Sequence, residues 1–208
     1  MLKIYGRANS INVRKVLWLC DEIGLSYTRE DWGRGFRATS EPEFLALNPM
    51  GLVPVIDDEG FLLRESNAIV RYLASKYGYA EIYPNDLKQR AIIEQWMDWG
   101  AAEFVLPQRG AFLGGFIKVE PWTTPWFVEA AQKDFNRLMT LLDAHLKASG
   151  KAFVAGDAFT VADIPVGLVV NRWYTLELER PTLPSLAAYY DKLSQRPAYQ
   201  THGRNGAP

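Results

Sequence analysis

Three short stretches carry residue types that can do chemistry together. Ser10-Ile11-Asn12-Val13 sits where a first strand passes into a first helix. A serine hydroxyl at such a junction can cap the helix, or it can donate a hydrogen bond to a bound thiolate. Stabilising the charged form lowers a thiol pKa, which is about 8.5 when unperturbed. The nearby helix N-terminus acts in the same direction. A dithiol redox site would place Cys-x-x-Cys at this turn. Neither cysteine is present, so any reactive sulfur is expected from a ligand.

The second stretch is Val53-Pro54, inside the apolar run Leu52-Val53-Pro54-Val55-Ile56. Proline removes a ladder hydrogen bond, so it belongs at an edge or special position of a strand. Two readings are open: a plain edge-strand proline, or a cis bond that leaves the Val53 backbone free to pair with an extended peptide. The third stretch is Glu65-Ser66, at a helix start. A first helical turn offers free N–H groups and partial positive charge, which suit a carboxylate or phosphate. Ser66 can add a hydroxyl and Glu65 can take an ammonium; the alternative is that Ser66 only caps the helix.

The elements that must position these residues follow from periodicity. Leu2 to Tyr5 reads as a strand, and Val13, Val16, Leu17 and Cys20 mark one helix face. Ser26 to Trp32 reads as a second strand, and Ser40 to Leu47 as a short helix after a Gly- and Arg-rich loop. Leu52 to Asp57 and Phe61 to Leu63 read as a hairpin, and Asn67 to Tyr77 as a helix ended by Gly78. The order βαβαββα gives an α/β unit over residues 1–78. Residues 79–87 read as a linker. From residue 88 the strand signals stop, and an all-α unit is expected over 88–208. Its helices are Lys88 to Phe112, bent near Pro107, then Pro125 to Ala148, Phe159 to Leu178 and Leu183 to Ser194.

Composition narrows the function classes. The chain has 208 residues and a net charge of −1, so no strong field favours nucleic acid or an anionic membrane. Its one cysteine, Cys20, excludes an internal disulfide and a cysteine-based metal cluster; it falls on the inner helix face, as an inert core thiol. The two histidines, His145 and His202, are far apart, which argues against a zinc centre. No basic segment precedes an apolar signal core, and no apolar run reaches spanning length, so a cytoplasmic protein is expected. Seven tryptophans are unusual, and such aromatic surface suits a pocket or a subunit contact.

Four segments together resemble the cytosolic glutathione transferases. They are Gly6 to Val16, Asn48-Pro49-Met50-Gly51-Leu52-Val53-Pro54, Glu65-Ser66-Asn67-Ala68-Ile69 and Phe159-Thr160-Val161-Ala162-Asp163-Ile164. The resemblance implies a thioredoxin-like domain followed by a helical one. It implies glutathione as co-substrate, no metal, and a homodimer. Val53, before a cis Pro54 and beside Leu52, would pair with the cysteinyl backbone. Glu65 and Ser66 would hold the γ-glutamyl end, and Arg37 or Arg34 would replace the usual loop Lys or His at the glycine carboxylate. Thr160 would cap a buried helix with Asp163 bonding back.

The spacing Ser-x-Asn-Val-x-(Arg/Lys) is similar to the serine classes, so Ser10 is the expected catalytic residue. Asn9 and Asn12 can also reach a sulfur. Tyr5 lies where tyrosine classes keep theirs, and Arg7 would bring positive charge. The electrophile pocket is expected between the domains, walled by Phe104, Arg109, Phe112 and Trp173. Pro107, Gly110, Gly114 and Gly115 should make the helix irregular there. The expected activity is attack of the glutathione thiolate on a small hydrophobic or halogenated electrophile. Two alternatives stand beside it: a non-catalytic binding or regulatory module, and a glutathione-dependent peroxidase. A thiol reductase would want Cys at position 10.

Overall fold

The computed structural model describes all residues, 1–208. Four strands form one mixed sheet in the order β2-β1-β3-β4. They are β1 (Leu2–Tyr5), β2 (Tyr27–Glu30), β3 (Val55–Asp58) and β4 (Phe61–Arg64). The β1–β2 pair is parallel, with Leu2 opposite Tyr27, and helix α1 (Ile11–Glu22) makes the crossover. The β1–β3 and β3–β4 pairs are antiparallel, with Tyr5 opposite Val55 and Asp58 opposite Phe61. Helix α2 (Pro42–Leu47) follows β2, and α3 (Ser66–Tyr77) follows β4.

The strand expected from Leu52 is shorter than the apolar run suggests and lies wholly after Pro54. Pairing starts at Val55, because Pro54 has no N–H to contribute. α1 buries Val13, Val16, Leu17 and Cys20 as their spacing predicts, and it also buries Arg14 and Lys15. Burial pushes the Cys20 thiol up to about 12, so it is protonated and inert.

The rest of the chain is helical: α4 (Leu87–Ala102), α5 (Val105–Pro107), a π-helix (Gln108–Phe116), α6 (Pro125–Ser149), α7 (Asp163–Thr175), α8 (Pro184–Leu193) and α9 (Pro197–His202). The single bent helix expected over 88–112 is instead three pieces. Wider π turns carry the chain past Pro107, and the Ile117 N–H donates to the Phe112 carbonyl five residues back. Glycines let this π-helix lie against α6 and its entry loop. A Cβ on Gly110 would fall 2.2 Å from the Ala131 Cβ, and one on Gly114 would fall 1.9 Å from the Trp122 carbonyl oxygen.

The helix expected from Phe159 begins only at Asp163. Residues before it form a buried turn, closed by the Thr160 N–H donating to Asp163 Oδ2 at 2.9 Å. The Thr160 hydroxyl also points to that oxygen, at 3.4 Å, rather than accepting from the helix backbone. The Val154 N–H and the Tyr189 hydroxyl donate to the other oxygen at 3.1 and 3.0 Å. α9 had no sequence signal: it is six residues long, begun by Pro197. α7 is buried on nearly every side and sits at the centre of one continuous core. No helix is long and apolar enough to cross a membrane.

Candidate active site

A cavity of about 490 Å³ opens where α1, the loop before β3, the π-helix and α7 meet. Ser10 lies on its wall, with Asn9 and Asn12 beside it. Ser10 is the N-cap of α1 in extended conformation, yet its hydroxyl makes no capping bond. The free backbone N–H groups of the first turn therefore face the same space as an uncommitted hydroxyl. Asn9 is less free, since its Oδ1 accepts from Arg7 Nη1 at 2.7 Å.

Val53 lines the same cavity. The Val53–Pro54 bond is cis, and no main-chain hydrogen bond engages the Val53 N–H or carbonyl. That leaves one donor and one acceptor facing outward, as a peptide ligand needs. Asn48 fixes the loop by donating from Nδ2 to the Leu52 carbonyl at 2.7 Å.

Glu65 and Ser66 sit at the start of α3, bordering an adjoining cavity of about 470 Å³. Glu65 has φ of 70° in a residue that is not glycine, a strained conformation usually kept where it positions a group. The Ser66 hydroxyl lies 3.4 Å from both Lys15 Nζ and Asn12 Oδ1. Lys15 is a residue that the sequence pattern named only as part of a motif. It is buried, and desolvation together with the nearby Arg172 charge lowers its pKa to about 8, with Glu65 opposing.

Several expected site residues lie elsewhere. Tyr5 is packed with Trp32, Phe44 and Val55 in a separate small core, so it cannot reach the cavity. Arg37 stacks on Trp32 at 3.8 Å and pairs with Glu41 and Glu43 at the start of α2. Arg34, Thr39 and Leu52 line that end of the cavity instead. Arg109 lies over Trp122 at 5.0 Å, outside the wall. Trp173 is buried, and its indole N–H donates to Asn136 Oδ1 at 2.8 Å. Phe104 borders the adjoining cavity, edge-on to Trp99. Phe112 does line the main cavity, with Leu113, Phe116 and Ile117 from the same π-helix. The neighbour of Trp173, Arg172, is the residue that reaches the cavity from α7. Its sequence signal is an Asn-Arg pair interrupting the apolar stretch Ile164 to Val170.

Comparison with known proteins gives this arrangement its family. The model of the glutathione S-transferase N-terminal domain matches residues 1–75, and that of the C-terminal domain matches residues 125–197. The chain belongs to the glutathione S-transferase family.

Among its relatives is glutathione S-transferase GstB of Escherichia coli, 37% identical over 201 residues, covering 95% of each chain. Another is the disulfide-bond oxidoreductase YfcG of the same species, 29% identical, covering 90% of this chain and 87% of that one. The fold matches a theta class glutathione S-transferase from Xanthomonas axonopodis pv. citri, solved with glutathione bound. That match has a TM-score of 0.89 at 39% identity, covering 97% of this transferase and 96% of the other. A delta-class enzyme from Nilaparvata lugens matches with a TM-score of 0.86 at 28% identity, covering 100% and 95%. The thioredoxin-like sheet followed by helices is thus the architecture of a glutathione S-transferase. No group of three or more His, Cys, Asp or Glu side chains could hold a metal ion.

Proposed function

We propose that Ser10 steadies the glutathione thiolate while the sulfur attacks a small hydrophobic or halogenated electrophile held against the π-helix. The single observation behind this is the uncommitted Ser10 hydroxyl at the α1 N-terminus, opening on a cavity with Phe112 and Phe116 on its wall. Glutathione lies extended along Val53. Its γ-glutamyl end meets Ser66, Glu65 and Lys15, and its glycine end points to Arg34, Thr39 and Leu52. The protein contributes positioning and a preorganised donor rather than a covalent intermediate. Losing one such donor lowers turnover roughly tenfold to a thousandfold. Conjugation of 1-chloro-2,4-dinitrobenzene by wild type and Ser10→Ala tests this. Equal turnover would remove Ser10 from the mechanism and pass the role to Asn12.

A second reading is supported by the likeness to a disulfide-bond oxidoreductase: glutathione-dependent reduction of peroxides or disulfides. Peroxide consumption exceeding conjugation, and depending on Ser10, would favour it. A non-catalytic module would give no heat with millimolar glutathione in a calorimeter and would conjugate nothing.

A further inference from the structure

Arg172 is a buried cation with no carboxylate partner. It is 2% exposed, and no Asp or Glu forms an ion pair with it. One guanidinium nitrogen, Nη1, donates to Gln108 Oε1, and the plane lies 3.8 Å over the Phe112 ring. Its Nε is buried without any hydrogen-bond partner. Burying a charge without a counter-charge is costly, and proteins keep such groups where a ligand supplies the partner.

The surroundings sharpen the imbalance. Arg7 and Arg34 line the same cavity as Arg172, and no acidic residue does. Burial, with smaller contributions from the Arg14 and Arg7 charges, draws the Arg172 pKa down to about 9, so it stays charged at neutral pH. Glutathione brings two carboxylates, and in the placement proposed above each has partners other than Arg172. One lies at the start of α3, with Ser66 and Lys15. The other lies at the loop with Arg34 and Thr39. Arg172 comes from α7, bonded to Gln108 and stacked on Phe112, beside the π-helix wall where the proposed electrophile rests.

We propose that the electrophile carries a carboxylate, and that Arg172 binds it through the cavity beside Phe112. This rests on the transferase reading above. The reaction class is substitution at a carbon next to that carboxylate. The thiolate sulfur forms the new C–S bond, the C–halogen bond breaks, and halide leaves with the bonding pair. The thiol proton has already gone to solvent, so charge and atoms balance. An anionic electrophile is repelled by a thiolate, and a cation at this position offsets that repulsion where an uncharged wall could not.

The test uses a matched pair, iodoacetate and its neutral analogue iodoacetamide, each measured as acceleration over the uncatalysed reaction with glutathione. Wild type should accelerate iodoacetate at least roughly tenfold more than iodoacetamide, as expected for a hydrogen bond to a charged group. Arg172→Gln should lose that preference, mainly through a higher KM for iodoacetate, while Arg172→Lys keeps part of it. Acetate should compete with iodoacetate on the wild-type enzyme, a measurement that needs no variant to fold. Equal acceleration of both probes, or an equal loss on both in Arg172→Gln, overturns the proposal and leaves Arg172 acting on the thiolate. A failure of the transferase reading looks different: no heat with glutathione and no conjugation of 1-chloro-2,4-dinitrobenzene either.

Discussion

Lys15 shows what a single residue costs and gives. Its pKa falls from 10.5 to about 8 on folding, chiefly by desolvation. Between those values the unfolded chain binds more protons, so this group makes stability rise with pH over that window. The shift corresponds to about 3 kcal/mol against the fold at neutral pH. Lys15→Met should therefore be more stable than wild type at pH 7, by about 1–3 kcal/mol, and the gap should close by pH 10. Urea unfolding at both pH values checks it; a variant less stable at pH 7 contradicts it. The same variant should bind glutathione more weakly in calorimetry, because Lys15 reaches Ser66. In the binding mode proposed above, stability is given up here for a positive charge behind the γ-glutamyl end.

At the scale of elements, Asp163 joins the turn before α7, the Val154 loop and α8 through the Thr160 and Val154 N–H groups and the Tyr189 hydroxyl. Burial outweighs these donors and raises its pKa to about 6 from 3.8. The folded state then holds the extra proton, so this term falls away as pH rises from about 4 to about 6. Asp163→Ala removes that slope but strands four buried donors, the Thr160 hydroxyl among them, and should cost about 3 kcal/mol or more at pH 7 by urea midpoint. The π-helix makes a second element-scale prediction. Gly114→Ala forces a Cβ against the Trp122 carbonyl and should shift Phe112 and Phe116, raising the KM for a neutral electrophile while that for glutathione stays. A matched rise in both constants would contradict a local shift.

The sheet and the Asp163 turn were legible because they rest on local patterns: alternation, capping residues, and a proline in an apolar run. The positions of Ser10 and Val53 on one cavity, and of Ser66 at a helix start, follow from the same patterns. The pocket wall was not legible, because its facing depends on how many residues each turn contains. A π turn after Pro107 rotates Arg109 out over Trp122 and turns Gln108, Phe112 and Phe116 toward Ser10. Arg37 was misplaced for another reason. Glu41 and Glu43 at the start of α2 compete for it, and sequence spacing does not rank them against a distant ligand.

At the scale of the whole molecule, Arg14 ties the last segment to α1. Its guanidinium donates to the carbonyls of His202, Gly203, Ala207 and Pro208, while Asn171 Nδ2 donates to Ala207 at 2.8 Å. Ala207 and Pro208 in turn line the cavity. Arg14→Met should cost about 1–3 kcal/mol and raise the KM of the electrophile more than that of glutathione. Steady-state kinetics with each substrate varied in turn would show it. We also propose a homodimer, supported by the exposed Met50, Leu52, Phe61 and Leu62 of the sheet domain. Sedimentation at micromolar concentration should give twice the 23.6 kDa chain mass.

None of the seven tryptophans lines the main cavity. Trp18, Trp32 and Trp173 are buried, and Trp126 is exposed away from it. The optical consequence is that a ligand in the cavity touches no indole directly. Indole emission therefore reports the folded state of the chain. Glutathione bound to the folded chain raises the melting temperature by mass action, so indole-detected melting at increasing glutathione concentration measures occupancy of a site that holds no tryptophan.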